Sequence, residues 1–131
     1  MLVASAGNSG TDLAQCPAAL PGVISVTSVE ADNTKSVWAS YGSTVSLVAP
    51  GSGIRSTYWT GGYATGSGTS FATPFVSDAA ALVCSTCPAS SSDAIANRLK
   101  TTATSVDSVN PAYAGLLGSG LLNIQQAVQN N

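Results

Sequence analysis

Ser70 lies where the sequence predicts the start of a helix buried in the protein core. Gly66 and Gly68 precede it, and residues 71–83 are apolar on nearly every face of a helix. A serine hydroxyl at a helix N-terminus is close to unpaired backbone N–H groups and to the positive end of the helix dipole. These groups would stabilise the oxyanion that forms when the hydroxyl attacks a carbonyl carbon. Because Gly-Thr-Ser is also a common cap sequence, Ser70 is either a nucleophile or a simple helix cap.

Asn8 lies in a glycine-flanked turn, Gly7-Asn8-Ser9-Gly10, directly after a short apolar run. A carboxamide in such a turn can direct its NH₂ group into a cleft, where an oxyanion donor contributes about 2.7–4 kcal/mol in the transition state. Taken alone, Asn-Ser-Gly is an ordinary turn sequence. A candidate nucleophile and a candidate oxyanion donor together indicate acyl-transfer chemistry.

The elements that must position these two residues alternate between strands and helices. Residues 2–6, 23–29 and 45–49 are strand-like, whereas residues 55–63 predict a hairpin or an exposed loop. Ser90-Ser91-Ser92-Asp93 offers N-caps for an amphipathic helix, and a terminal helix is expected from Ile124 to Val128. We therefore expect an α/β fold with a mainly parallel sheet of about three core strands, a buried central helix and two further helices. Such a thin sheet has at least one unpaired edge.

Composition restricts the classes of partner. The chain has 131 residues, only 8% of them charged, a net charge of −2 and four scattered basic residues. The length suits one domain over residues 1–131. The scattered basic residues offer no surface for nucleic acid, and no apolar run is long enough for a membrane span. The three cysteines, Cys16, Cys84 and Cys87, favour a disulfide or plain thiols over a metal site, because the chain has no histidine. No metal or other cofactor is expected.

The order of several segments resembles the subtilisin-like serine proteases (subtilase, peptidase S8 family). Ala6-Gly7-Asn8-Ser9-Gly10 looks like their oxyanion-asparagine turn, and Gly68-Thr69-Ser70-Phe71-Ala72-Thr73-Pro74 resembles their catalytic-serine motif. Residues 17–26, the Val-Ala-Pro-Gly at 48–51 and the segment 118–123 also match, in the same order. The resemblance covers nearly the whole chain.

The resemblance implies a role for each matching residue. Ser70 would be the nucleophile, and Asn8 would donate its amide to the oxyanion beside the backbone N–H of Ser70. Ser5, Ala6 and Gly7 would line one wall of the pocket for the P1 side chain of a peptide or protein substrate, with Thr69 also binding substrate. A subtilase is expected to be secreted, and the low charge and the cysteines agree with an extracellular protein.

The general base is missing from this chain. In the family, the catalytic Asp and His both precede the oxyanion asparagine, so we expect residues 1–131 to be the C-terminal part of a catalytic domain. Because triad members act as a unit, the chain alone should hydrolyse peptides at or near background. An N-terminal half that supplies Asp and His, or self-association, would then be the partner. Asp78, where the family usually has glycine, needs a partner or a wet position in an otherwise apolar helix.

Two alternatives to a subtilisin-like endopeptidase stay open at this point. The first is a sedolisin-type acid serine peptidase, which has a similar serine motif and no need of histidine, but has an aspartate where Asn8 stands. The second is a non-catalytic fragment that associates with a partner or with itself through its sheet edge.

Overall fold

A three-stranded parallel sheet forms the centre of the computed structural model, which describes residues 1–12 and 15–129. Its strands are β1 (Leu2–Ser5), β2 (Val23–Val29) and β3 (Leu47–Pro50), in the order β1-β2-β3. The register places Val3 opposite Ile24 and Val26 opposite Leu47. The predicted α/β class and mainly parallel sheet are confirmed.

The segment between the sheet and the central helix is a β-hairpin rather than a loop. Strands β4 (Ile54–Thr57) and β5 (Tyr63–Gly66) pair antiparallel, and the turn between them includes Gly61 at φ +86°. Trp59 at the tip of the hairpin is 85% exposed.

The longest helix, α1 (Thr69–Thr86), crosses one face of the sheet and confirms the predicted central helix. Helices α2 (Ser92–Thr101) and α3 (Ile124–Gln129) pack beside it, as expected, and two short 3₁₀ turns lie at Asp107–Val109 and Pro111–Tyr113. The shared core consists of apolar side chains from the sheet and all three helices: Ile24, Val26, Leu47, Ala49, Ala72, Val76, Ala79, Ala80, Val83, Ile95, Leu99 and Ala127.

Only one face of α1 is buried in this structure, although its sequence is apolar on nearly every face. Ala72, Val76 and Val83 have at most 1% of their surface exposed, whereas Leu82 is 48% exposed. Asp78 also lies on the open face, which gives its carboxylate the water that an apolar helix would otherwise deny it. None of the helices in the described part of the chain combines the length and apolar character that a membrane span requires.

The start of α2 is fixed by a predicted side-chain cap. Ser91 is the N-cap, and its Oγ accepts a hydrogen bond from the Ala94 N–H over 3.2 Å. Ile95 and Leu99, spaced by one turn, are the buried residues of this helix. The cap therefore fixes where α2 begins, and the spacing of Ile95 and Leu99 decides which face packs on the core.

Replacing Ser91 by alanine should lower the free energy of unfolding by about 0.5–2 kcal/mol, because the Ala94 N–H loses its acceptor. Urea denaturation followed by circular dichroism measures this change. Ser92→Ala, one residue into the helix, is the matched control and should have a smaller effect. Equal losses in the two variants would contradict the assignment of the cap.

Candidate active site

The N-terminus of α1 is held against the end of β3. The Gly68 N–H donates to the Gly51 carbonyl over 2.8 Å, just beyond the last residue of β3. A Cβ atom on Gly51 would lie 2.5 Å from the Ser28 Oγ and 2.8 Å from the Gly68 carbonyl oxygen. Only glycine therefore lets β3 and the helix start approach this closely.

Asn8 caps this helix from a distant part of the sequence. Its Oδ1 accepts from the Thr69 N–H and from the Thr69 Oγ1–H, each over 2.9 Å. The N-cap residue Gly68 has no side chain that could do this. Thr69 is fully buried, and its Oγ1 in turn accepts from the Gly7 N–H over 3.2 Å. The asparagine turn and the helix start are thus one hydrogen-bonded unit.

This unit leaves two donors close to the same side of Gly68. A methyl group placed on Gly68 would lie 3.5 Å from the Asn8 Nδ2 and 3.8 Å from the Ser70 backbone nitrogen. Within residues 1–12 and 15–129, neither group donates to a protein acceptor, because the Asn8 Oδ1 takes the contacts with Thr69. Two unpaired donors beside a serine at a helix N-terminus can stabilise an oxyanion.

The turn that carries Asn8 needs glycine and rests on Ser40. Gly7 has φ +115°, a conformation that side chains disfavour, and its carbonyl accepts from the Ser40 N–H over 3.0 Å. The Ser40 Oγ lies 3.4 Å from the Ser9 nitrogen, which donates to it, and 3.1 Å from the Ser9 Oγ. Sequence reasoning missed Ser40, because no local pattern marks a serine whose partners in the asparagine turn are more than thirty residues away.

Two clefts meet at Ser70. One, of about 420 Å³, lies between β1 and α1 and includes Ser5 and Pro74 in its lining. The other, of about 390 Å³, lies between the β4–β5 hairpin and α1, where Arg55 and Phe71 contribute. Ser70 is exposed between them.

The predicted substrate-binding residues lie at different depths. Ser5 lines the first cleft, whereas Ala6 and Gly7 are buried behind it. Thr69 has no exposed surface, so in this structure its side chain positions Asn8 instead of reaching the cleft. The P1 wall formed by Ser5, Ala6 and Gly7 stays a prediction.

No general base accompanies the serine in the described residues. The Ser70 hydroxyl has no hydrogen-bond partner there, and the carboxylate that lines the same clefts, Asp78, lies about 12 Å further along the helix. Lys35 is buried elsewhere, and Lys100 lines a separate cleft of about 630 Å³ next to residues 18–24. The described residues also contain no cluster of three metal-binding side chains.

Thr69→Val should lower the free energy of unfolding by about 1–3 kcal/mol, because the buried Gly7 N–H loses its acceptor and Asn8 loses a donor. Thr69→Ser keeps the hydroxyl and should lose less, about the value of one buried methyl group. Urea denaturation of both variants measures the difference. Equal destabilisation would show that the hydroxyl contacts do not hold the unit together.

Comparison with known proteins finds one family whose sequence model matches most of this chain. The model of the subtilase family, Peptidase_S8, matches residues 1–120. Subtilisin BL of Lederbergia lenta is 40% identical over 129 residues, which are 98% of this chain and 46% of that protein. This chain therefore spans about half the length of that relative.

Solved structures agree with the sequence match. The prenylagaramide maturation protease PagA superposes with a TM-score of 0.87 at 31% identity, over 98% of this chain and 49% of that one. The patellamide maturation protease PatA gives a TM-score of 0.86 at 36% identity, over 97% of this chain and 49% of that one. With the family model matching from the first strand to Gly120, this chain belongs to the subtilase family.

Proposed function

We propose that this chain supplies the nucleophile and the oxyanion-binding groups of a secreted serine endopeptidase. The observation that carries the proposal is the pair of unpaired donors, the Asn8 Nδ2 and the Ser70 N–H, on one side of Gly68. Membership of the subtilase family supports it. The residue roles come from the resemblance and from this geometry.

In the proposed reaction, the Ser70 Oγ attacks the carbonyl carbon of a peptide bond, and its proton passes to a base. The carbonyl oxygen becomes an oxyanion that accepts hydrogen bonds from the Asn8 Nδ2 and the Ser70 N–H. Collapse of this intermediate breaks the C–N bond, and the amine leaves with a proton returned by the base. Water then attacks the acyl-enzyme by the same steps, which releases the acid and restores the Ser70 hydroxyl.

The base in this proposal comes from outside the 131 residues. The chain has no histidine, and none of its described carboxylates or amines lies at hydrogen-bonding distance from the Ser70 hydroxyl. Subtilisin BL and PagA are each about twice as long as this chain, which leaves room for a segment with the Asp and His of the family. The chain alone is therefore expected to hydrolyse peptides at background rate.

Covalent labelling with a fluorophosphonate tests this proposal directly, because the reagent reports an activated serine. We expect no labelling of the chain alone, and labelling after mixing with the part of Subtilisin BL that precedes its match to this chain. Ser70→Ala should abolish the signal. Labelling of the isolated chain at Ser70 would contradict the need for an added base, and no labelling in either state would contradict the endopeptidase proposal.

Asn8→Ala should lower the labelling rate of the complemented protein by a factor of about 10²–10³, the usual effect of losing one oxyanion donor. Asn8→Asp is the matched variant, because it keeps an oxygen for Thr69 and removes the donating NH₂ group. Both rates are measured by gel fluorescence against time. An Asn8→Asp rate equal to that of the unchanged protein would show that Asn8 only caps the helix.

A non-catalytic, self-associating role is the second candidate, favoured by the unpaired edge of β1. Leu2 is 68% exposed there, and the open face of α1 lies beside it. An uncovered strand edge next to apolar surface favours association. A concentration-dependent dimer in analytical ultracentrifugation, without labelling in any mixture, would support this role. The sedolisin-type alternative stays a prediction, and complemented activity that peaks at strongly acidic pH would favour it.

A further inference from the structure

Lys35 is a buried cation surrounded by backbone oxygens. Its side chain is 6% exposed, and its ammonium group donates to the carbonyls of Ser36 over 2.8 Å, Val37 over 3.3 Å and Ala39 over 2.7 Å. Each of its three N–H groups thus has one acceptor. No carboxylate forms an ion pair with it in the part of the chain that the structure describes.

Two aromatic rings and one amide complete the surroundings. The Lys35 Nζ lies 5.2 Å from the ring centre of Tyr41 and 4.7 Å from that of Tyr113, within the range of cation–π attraction. The Lys35 backbone N–H donates to the Oδ1 of buried Asn110 over 2.6 Å, so the backbone that carries the side chain is held as well. Burial lowers the pKa of Lys35 below its ordinary value of 10.5, because the ammonium group loses hydration.

The carbonyls that Lys35 binds belong to residues 36–40, which we call the support segment. This segment makes hydrogen bonds to the asparagine turn through Ser40 and approaches it closely at Val37. The Ser40 N–H donates to Gly7, the Ser40 Oγ accepts from the Ser9 N–H, and a Cβ on Gly10 would lie 3.0 Å from the Val37 oxygen. The turn that holds Asn8 therefore rests on backbone that Lys35 organises.

Three carbonyl dipoles converge on one point and would repel each other there; the Ser36 carbonyl also accepts from the Ala39 N–H, whereas the Val37 and Ala39 carbonyls have no other donor among the described residues. An ammonium group at that point turns the arrangement into three charge-assisted hydrogen bonds. Without it, the Val37 and Ala39 carbonyls would lose their donor and turn toward solvent, which would shift the adjoining Ser40 even though Thr27 still donates to the Ser40 carbonyl. The contacts on Gly7 and Ser9 would loosen as a result.

We propose that Lys35 is a positioning residue that acts as a built-in cation: it holds the support segment in the conformation that orients the oxyanion donor Asn8. The effect of Lys35 on catalysis rests on the proposed endopeptidase function, whereas its effect on the conformation of the support segment does not. None of the predicted site residues contacts Lys35 directly, so its effect is transmitted through Ser40.

Lys35→Ala removes a propylammonium group, and adding that group back as free n-propylammonium tests the charge. We expect amide hydrogen exchange at Ser40, measured by NMR, to accelerate by at least about tenfold, as for the loss of one hydrogen bond to a charged group. Amides of α2 should keep their exchange rates. n-Propylammonium chloride should restore the protection of Ser40, whereas n-propanol, of similar shape without charge, should not. Lys100→Ala is the matched control and should leave Ser40 unchanged.

Unchanged exchange at Ser40 in Lys35→Ala, or equal rescue by n-propanol, would overturn the proposal. Lys35→Met keeps the length of the side chain and replaces the alanine variant if that variant does not fold. Wild-type protection of the Ser40 amide in Lys35→Met would also overturn the proposal. Reductive methylation of the unchanged protein needs no variant. Lys100 should be modified and Lys35 spared until the chain unfolds, and equal modification of the two would contradict a fully bonded ammonium group.

Fluorophosphonate labelling in the complemented protein then tests the catalytic consequence. Lys35→Ala should label more slowly than the unchanged protein, and n-propylammonium should restore the rate, whereas Lys100→Ala should label normally. Because the exchange experiment needs no catalysis, failure of the endopeptidase proposal would leave the conformational result intact. A loosened Ser40 with an unchanged labelling rate would overturn the link to Asn8.

Discussion

The contacts between the Asn8 Oδ1 and Thr69 are the constraint on which the rest of the site depends. One oxygen accepts two hydrogen bonds from Thr69, and the same threonine accepts from Gly7, so the turn after β1 and the start of α1 cannot move separately. This fixes which end of the carboxamide faces inward. The outward NH₂ group and the Ser70 N–H are then left without acceptors at the place where a developing oxyanion would need them.

The sheet supports this arrangement from behind through small polar residues. Thr27 of β2 has no exposed surface, and its Oγ1 donates to the Ser40 carbonyl. Ser28 lies against Gly51, whose carbonyl accepts from the N–H of Gly68. Side chains of this size let backbone segments approach within hydrogen-bonding distance. The many small, uncharged residues of the sequence thus allow the backbone segments around the site to pack closely.

One face of α1 is open in this structure, and the proposed reaction requires a base that this chain does not supply. The buried face packs on β2 and β3 and fixes the orientation of Ser70, whereas Asp78 and Leu82 lie on the uncovered side. In the proposed reaction, oxyanion stabilisation would depend on fixed dipoles that this chain supplies, whereas proton transfer would depend on a titratable group beside the Ser70 hydroxyl. The two parts of the chemistry are physically separable for this reason.

The sequence by itself determined the α/β class, the three sheet strands, the central helix and a side-chain cap within residues 90–93, because periodicity, turn residues and N-caps are local properties of the chain. The motifs also indicated the subtilase family, which the comparisons show. Tertiary structure alone decided that residues 54–66 form a hairpin and that one face of α1 stays open. It also placed Thr69 behind Asn8 and brought Lys35 and Ser40 to the support of the turn. Those contacts join residues tens of positions apart, and their energies depend on burial and on convergent dipoles, which no local pattern records.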